Sequence, residues 1–277
     1  MIRIGVRSFV SAGGGTDADA QAFITAAGIT DATQQSAINT LVTDLKGYSI
    51  WTKMKAIYPF CGGTSSTHKW NLKDPRDLDA AFRLVFNGGW THSSTGATPN
   101  GTNAYADTKL NANSILTLNN THLSYYSRTN NAGTSIMPSL NGKVEMGLQI
   151  LASTSFFMSI RSYGGNQICS MYHSSSNFLS VSNGNSDCFI TNTRTSSTSL
   201  KSFKNGSQLG STVTLTNAGT LPNDNVFIAC NGNSSSRYEY SDRQCAFASI
   251  GDGLTDTEAA NFYTAVQAYQ TTLSRNV

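Results

Sequence analysis

Five Asn-Gly dipeptides, beginning at residues 100, 141, 183, 205 and 231, punctuate the chain from Gly88 onward and constrain its fold more than any other feature. Both residues of the pair accept the positive φ that the type I′ turn of a two-residue hairpin demands. Candidate strands flank each pair. The spacing places them at about Ala104–Leu110, His122–Arg128, Ser135–Leu140, Val144–Ala152, Phe156–Tyr163, Gln167–His173, Phe178–Val181, Cys188–Thr195, Ser199–Lys204, Gln208–Leu215, Val226–Asn231 and Cys245–Ile250. Twelve strands with no helix between them describe a two-sheet sandwich or jelly roll. Some, such as Thr212-Val213-Thr214-Leu215-Thr216, alternate strictly and so should face solvent on one side.

The final strand runs through Gly251-Asp252-Gly253 into a helix. Thr255 and Glu258, three apart, form a capping box, and Ala259, Phe262, Val266, Tyr269 and Leu273 recur at helical spacing. That apolar stripe must cover a sheet. At the other end, Asp17 caps a helix through Ala20, Phe23 and Ile24 that stops near Gly28. Asp31 with Gln34 caps a second one, striped by Ala37, Ile38, Leu41, Val42 and Leu45 and ended by Gly47. A dense apolar patch follows, with Ile50, Trp51, Met54, Ile57, Tyr58 and Phe60, and is expected to pack this helical piece onto the β domain. Lys73 to Asp79 read as a charge-rich, solvated turn. The organisation expected is an N-terminal arm and hinge at 1–16, a small helical anchoring segment at 17–86, and a mainly β domain with its C-terminal helix at 87–277.

Charged residues make up 13% of the 277, against about 25% in ordinary soluble domains, and Ser, Thr, Asn and Gly fill the gap. Such a surface suits assembly or sugar contact. The net charge of +3 is too small, and its cations too dispersed, for a phosphate-tracking groove, so no nucleic-acid partner is expected. No apolar run approaches the roughly 20 residues of a membrane helix, so no membrane insertion is expected. Met1–Val10, interrupted by Arg3 and Arg7, reads as a short strand made in a cytosol rather than as a secretory signal.

Cys61, Cys169, Cys188, Cys230 and Cys245 form no CxxC or Cys/His cluster and read as reduced, buried small hydrophobes. His68, His92, His122 and His173 are scattered, so spacing makes none of them a metal ligand.

Three stretches in the second half carry a resemblance: Leu200 to Leu209 with its central Asn205-Gly206, Leu221 to Ile228, and Tyr240-Ser241-Asp242 followed by Ala246 to Thr255. Together they resemble the second half of a concanavalin A-like, laminin G-type jelly roll. With Gly89-Trp90-Thr91-His92 and Pro99 to Thr108 added, residues 17–277 resemble virion structural proteins of tailed bacteriophages, including the appendages of crAss-like and related phages. The resemblance implies a non-enzymatic, homo-oligomeric protein in the virion, made in the host bacterial cytoplasm and partnered by other virion proteins, first as a capsid-surface or head-fibre appendage. The alternative is a tail-fibre or baseplate adhesin that binds host or mucus glycans. It carries over no site residue.

Glycosidases of the jelly-roll class need two facing carboxylates. Only three glutamates are present: Glu258 belongs to the helix cap, Glu145 stands alone, and Glu239 near Asp242 lacks the alternating acidic pattern of such enzymes. A depolymerase is therefore the weakest reading, and no catalytic residue is assigned. No cofactor is expected. Calcium would have to use Asp187, Asp224, Asp242 or Asp252, which are also ordinary turn and cap residues. Sugar recognition places an aromatic plate beside amides and hydroxyls. Trp90 with His92, Tyr163 with Asn166, and Tyr238 with Tyr240 lie in or beside Gly/Ser/Asn-rich loops and are the candidate glycan-binding pairs.

Overall fold

The computed structural model describes residues 15–133, 142–150, 154–173, 178–215 and 219–277. The arm through residue 14, the strand expected at Ser135–Leu140 and Asn141 of the second Asn-Gly pair lie outside them.

The described chain opens with α1 (Ala18–Ala27) and α2 (Ala32–Gly47), each starting where its cap was read. The Asp17 carboxylate accepts from the Asp19 amide, and that of Asp31 accepts from the Gln34 amide. Then come β1 (Met54–Tyr58), α3 (Ser65–His68), β2 (Val85–Asn87), β3 (Trp90–Ser93), β4 (Gly96–Pro99), β5 (Tyr105–Asn111), α4 (Ala112–Ile115) and β6 (Thr121–Ser127). The second half comprises β7 (Met146–Ile150), β8 (Thr154–Ser159), β9 (Asn166–His173), β10 (Leu179–Ser182), β11 (Cys188–Ser196), β12 (Ser199–Lys204) and β13 (Ser207–Gln208). It ends with β14 (Asn225–Ile228), β15 (Asn231–Gly232), β16 (Arg237–Tyr238), β17 (Cys245–Gly251) and α5 (Asp256–Thr272).

Among the described residues these strands form two large antiparallel sheets. One is eight-stranded, in the order β13-β12-β11-β6-β17-β4-β3 with β1 also paired to β17. The other is seven-stranded, in the order β10-β9-β8-β7-β14-β5-β2. Leu123, Tyr125, Ile190 and Ile250 of the first sheet meet Met146, Leu148, Phe156, Met158 and Ile228 of the second in one buried core. The fold is a mainly β sandwich of concanavalin A-like type with N-terminal helices and a C-terminal helix, as the sequence indicated.

The central strands of the eight-stranded sheet are buried on both faces. Period-two alternation turns Tyr126 and Phe189 away from the sandwich core, and Phe247 follows at the β17 bulge. There they meet Leu41 and Leu45 of α2 and Phe262, Val266 and Tyr269 of α5 in a second core. Each such side chain contributes about 1.5–3 kcal/mol on burial. All seven residues of β6 and of β17 are buried as a result. The Thr255–Glu258 capping box is present in full.

Residues 17–86, expected as a segment beside the β domain, are built into it. Met54, Ile57 and Tyr58 sit in β1, registered against Gly251, Ser249 and Ala248 of β17, and Val85–Asn87 form the edge strand β2 of the second sheet. Arg275, fully buried beyond α5, ties the C-terminus to the same place by donating to the carbonyls of Pro59, Phe60 and Ala246.

The turns differ in part from expectation. Asn205 (φ 48°) and Gly206 (φ 76°) link β12 to β13 with the paired positive φ of a type I′ hairpin. The pairs at 100 and 183 instead carry the chain from one sheet to the other, between β4 and β5 and between β10 and β11. Gln208–Leu215, expected as a strand, pairs only at Ser207–Gln208 and at a single bridge from Val213 to Leu200. The five cysteines are buried and unpaired.

Candidate functional site

Among the described residues no helix covers the outer face of the seven-stranded sheet; on it Phe157, Ile168 and Phe227 are buried, while Tyr105 is partly exposed. Register places Tyr105 and Asp107 of β5 on that face, Phe227 of β14 opposite Asp107, and Gly147 of β7 opposite Phe227. The missing side chain at Gly147 has a consequence. A Cβ there would come within 2.8 Å of the Asn231 side-chain oxygen and 2.9 Å of Val144, so only glycine lets the short β15–β16 hairpin lie down on the sheet at this point.

The hairpin brings Arg237 onto the face. Its guanidinium carbon lies 4.3 Å from the centre of the Tyr105 ring and 4.7 Å from that of Phe227, and these two rings meet edge to face at 5.9 Å. Cation–π attraction to the two rings restrains the guanidinium between them. The phenol that feels the Arg237 charge is that of Tyr240, which also lies near Tyr105 and is raised above its ordinary value chiefly by burial; Tyr238, next to Arg237 along the strand, is pushed up to about 12 by burial and the Glu239 charge. The Asn225 amide donates 3.0 Å to Asp107, which also pairs with Lys109 at 3.1 Å. Glu239 accepts from Asn231 at 2.8 Å. The Asp224 carboxylate receives the Ser234 amide at 2.6 Å and so pins the hairpin tip. The result is an oriented donor edge backed by rings and bordered by amides, carboxylates and phenols. It can hydrogen-bond the hydroxyls of a small ring compound, with the part-exposed Tyr105 as its aromatic border.

The three expected pairs fall in three places. Tyr238 and Tyr240 belong to the hairpin segment on this face, Tyr240 bridging to Val144. Tyr163 and Asn166 lie where β8 turns into β9. Tyr163 is 53% exposed, and Asn166 donates to Ser180 at 3.0 Å. Nearby in that loop cluster, Arg161 donates to Asn130, and Lys204 donates to Asn183 and Asn185. Trp90 and His92 sit on the edge strand β3. The indole N–H donates to the backbone oxygens of Asn87 and Tyr105, and Phe86 packs on both rings.

His92 there meets a partner that its sequence distance of 24 residues concealed: its Nδ1 lies 2.9 Å from Nδ1 of His68. The Gly63 amide donates to His68 Nε2, so the His68 proton is on Nδ1 and points at His92, which then carries its own proton on Nε2. Burial, with smaller contributions from His92 and Arg275, brings His68 down to about 3. Both rings are neutral.

Tyr105, Phe227 and Arg237 went unnoticed in the sequence. The signal available was the Tyr-x-Asp alternation of β5, which puts Tyr105 and Asp107 on one face, and the position of Arg237 directly before Tyr238.

The acidic groups are committed elsewhere. Glu145 pairs with Arg243, Glu258 with Lys53 and the helix cap, and Glu239 with Asn231. Asp242 is bound by Lys143 and Asn131; burial alone would raise its carboxyl, but these hydrogen bonds leave it below the ordinary value. Asp252 pairs with Lys55. Among the described residues no cluster of three or more His, Cys, Asp or Glu side chains could hold a metal ion, and no helix is long and apolar enough to cross a membrane.

No protein-family model matches the chain, and no curated protein matches it in sequence. Solved structures do share its fold. Domain 4 of an extracellular GH43 arabinanase from Geobacillus stearothermophilus, solved with arabinotriose, aligns over 76% of this chain and 98% of its own at 12% identity and a TM-score of 0.53. The binding domain of Paraclostridial mosquitocidal protein 1 aligns over 77% of this chain at 11% identity and a TM-score of 0.52. A botulinum neurotoxin type C structure, from work on that toxin's interaction with two ganglioside molecules, aligns over 79% at 10% identity and a TM-score of 0.54. This chain spans about half the length of each toxin chain, at 52%. At these identities the likeness is one of fold.

Proposed function

We propose that the protein is a non-catalytic carbohydrate-binding module, and that it binds saccharides on the outer face of the seven-stranded sheet beneath the 231–240 segment. The observation that carries this reading is the Arg237–Tyr105–Phe227 cluster with Tyr240 near it, on the sheet face that the helices do not cover. Support comes from the arabinanase domain and the ganglioside-linked toxin, which share this fold and are described with sugar ligands. The commitment of all three glutamates to structural pairs favours binding over hydrolysis.

A glycan array probed with the full chain tests it. The reading expects saccharide binding that weakens roughly tenfold in Tyr105→Ala and in Tyr240→Phe. A blank array, or binding untouched by both changes, would overturn it.

The phage reading is compatible with this one, since a module displayed on a particle also binds sugar. We propose it on the sequence resemblance and on the 13% charged content, which suits a surface packed against other subunits. In that setting the protein would be an appendage of the virion, homo-oligomeric and assembled in the host cytoplasm. Immunogold labelling of purified particles tests it, and particles free of label would end it.

A further inference from the structure

We infer that the face bearing Arg237 selects sugars that carry a carboxylate, with Arg237 as the selecting residue. The inference rests on the carbohydrate-binding reading above and narrows it to a ligand class.

Most other arginines have found a counter-group; Arg161, whose Nε also lacks an acceptor, donates to the Asn130 side chain. Arg243 meets Glu145, Arg76 meets Asp74, and Arg83 meets Asp77 and Asp79. Arg194 and Arg275 turn their guanidinium groups onto backbone carbonyls, and Arg128 does so together with Gln244. Arg237 has neither solution. Among the described residues no carboxylate lies within ion-pair distance of it, and its polar contact is a 3.5 Å approach of Nη1 to the Ser234 carbonyl, the outer limit of a hydrogen bond. Its Nε is shielded from water and has no acceptor. Carboxylates of the same region are in use: Asp107 by Lys109 and Asn225, Glu239 by Asn231, and Asp224 by the Ser234 amide.

A partly buried guanidinium without an anion is unfavourable, and the two rings beneath it offset that only in part. The same rings restrain the position of its donor fork. A planar fork held in place matches the two oxygens of a carboxylate, which a neutral hydroxyl cannot do. The Tyr240 phenol, which feels the Arg237 charge, and the Asn225 amide bonded to Asp107 belong to the same face and offer partners for the hydroxyls of the sugar ring. The chemical class that fits is a uronic or sialic acid unit within an oligosaccharide.

Isothermal titration of the full chain with trigalacturonic acid, its methyl ester, sialyllactose and lactose tests this. The expected result is that at least one free acid binds roughly tenfold or more tightly than its uncharged counterpart, and that the preference shrinks with added salt. Arg237→Gln should erase the preference while keeping the thermal midpoint, and Arg237→Lys should retain part of it. Equal affinity for acid and uncharged forms overturns the inference and leaves the carbohydrate reading standing. A preference that survives Arg237→Gln overturns the assignment to this residue. Binding of no saccharide in any arm, with a blank array, removes the underlying reading and this inference with it.

Discussion

Arg243 and Glu145 form an ion pair with both side chains fully buried, and it joins the strand ends of the two sheets. Glu145 stands just before β7 and Arg243 just before β17. Glu145 also accepts from Ser241 and from the Ile160 amide, while Arg243 donates to the carbonyls of Asn131 and Arg161. The pair thereby gathers the loops near 131, 161 and 241. Such a pair need not stabilise relative to an apolar replacement, but removing one partner strands a buried charge. Glu145→Gln or Arg243→Met should therefore destabilise the fold by about 3–5 kcal/mol, and the double replacement Glu145→Leu with Arg243→Met should cost less than the sum. Urea unfolding of the three variants checks this.

The N-terminal segment should be required for folding. A chain beginning at residue 63 would lack β1, the partner of β17, together with α1 and α2, which seal the second core with α5. The buried surface lost exceeds what a domain with about 5–15 kcal/mol of net stability tolerates. Circular dichroism of this truncation should show no cooperative thermal transition.

Acid should destabilise the protein through two histidines. His68 is brought down to about 3 and His122 to about 4, in each case chiefly by burial. His122 is held neutral between the Asp252 carbonyl and the Ser249 hydroxyl, which the Ser124 hydroxyl meets in turn. The unfolded chain takes up these protons below about 6.5, whereas the folded chain refuses them until far lower pH. Their contribution is thus complete above about pH 6.5 and is lost on the way down to pH 4, by up to about 1.4 kcal/mol per pH unit for each ring. Chemical denaturation at pH 7, 6 and 5 should show this slope, and His122→Gln should reduce it.

Gly147 links the sheet to the hairpin. Gly147→Val should push Asn231 and the β15–β16 hairpin off the face, costing about 1–3 kcal/mol in stability, and should weaken saccharide binding more than a distant change of equal destabilisation. Thermal unfolding and titration of the same variant separate the two effects.

The sequence revealed the helices and most strands because their signals are local. Asp17, Asp31 and the Thr255–Glu258 pair cap helices by contacts within three residues, and β5, β6 and β11 lie where the strand pattern put them. The β1 strand was read only as an apolar patch, because Ala56, Ile57 and Tyr58 are buried in succession on both faces and show no period. The Asn-Gly pairs at 100 and 183 cross between sheets with positive φ only at Gly101 and at neither residue of the second pair, a difference the dipeptide does not show. Thr212–Thr216 alternates, yet over its described part only Val213 finds a strand to bridge. The site was legible by half. Tyr238 and Tyr240 announced themselves in a Ser-rich loop, while Tyr105 comes from a strand more than 130 positions away, and only sheet register places it under Arg237. The His68–His92 pair was hidden for the same reason.

Two-dimensional amide NMR of the full chain, titrated with the strongest saccharide from the array, tests the location of the site most directly. The account predicts that the perturbed amides cluster at 105–109, 225–228 and 231–240. Perturbations centred on 90–92, or on the loops at 161–166 and 183–187, would contradict it.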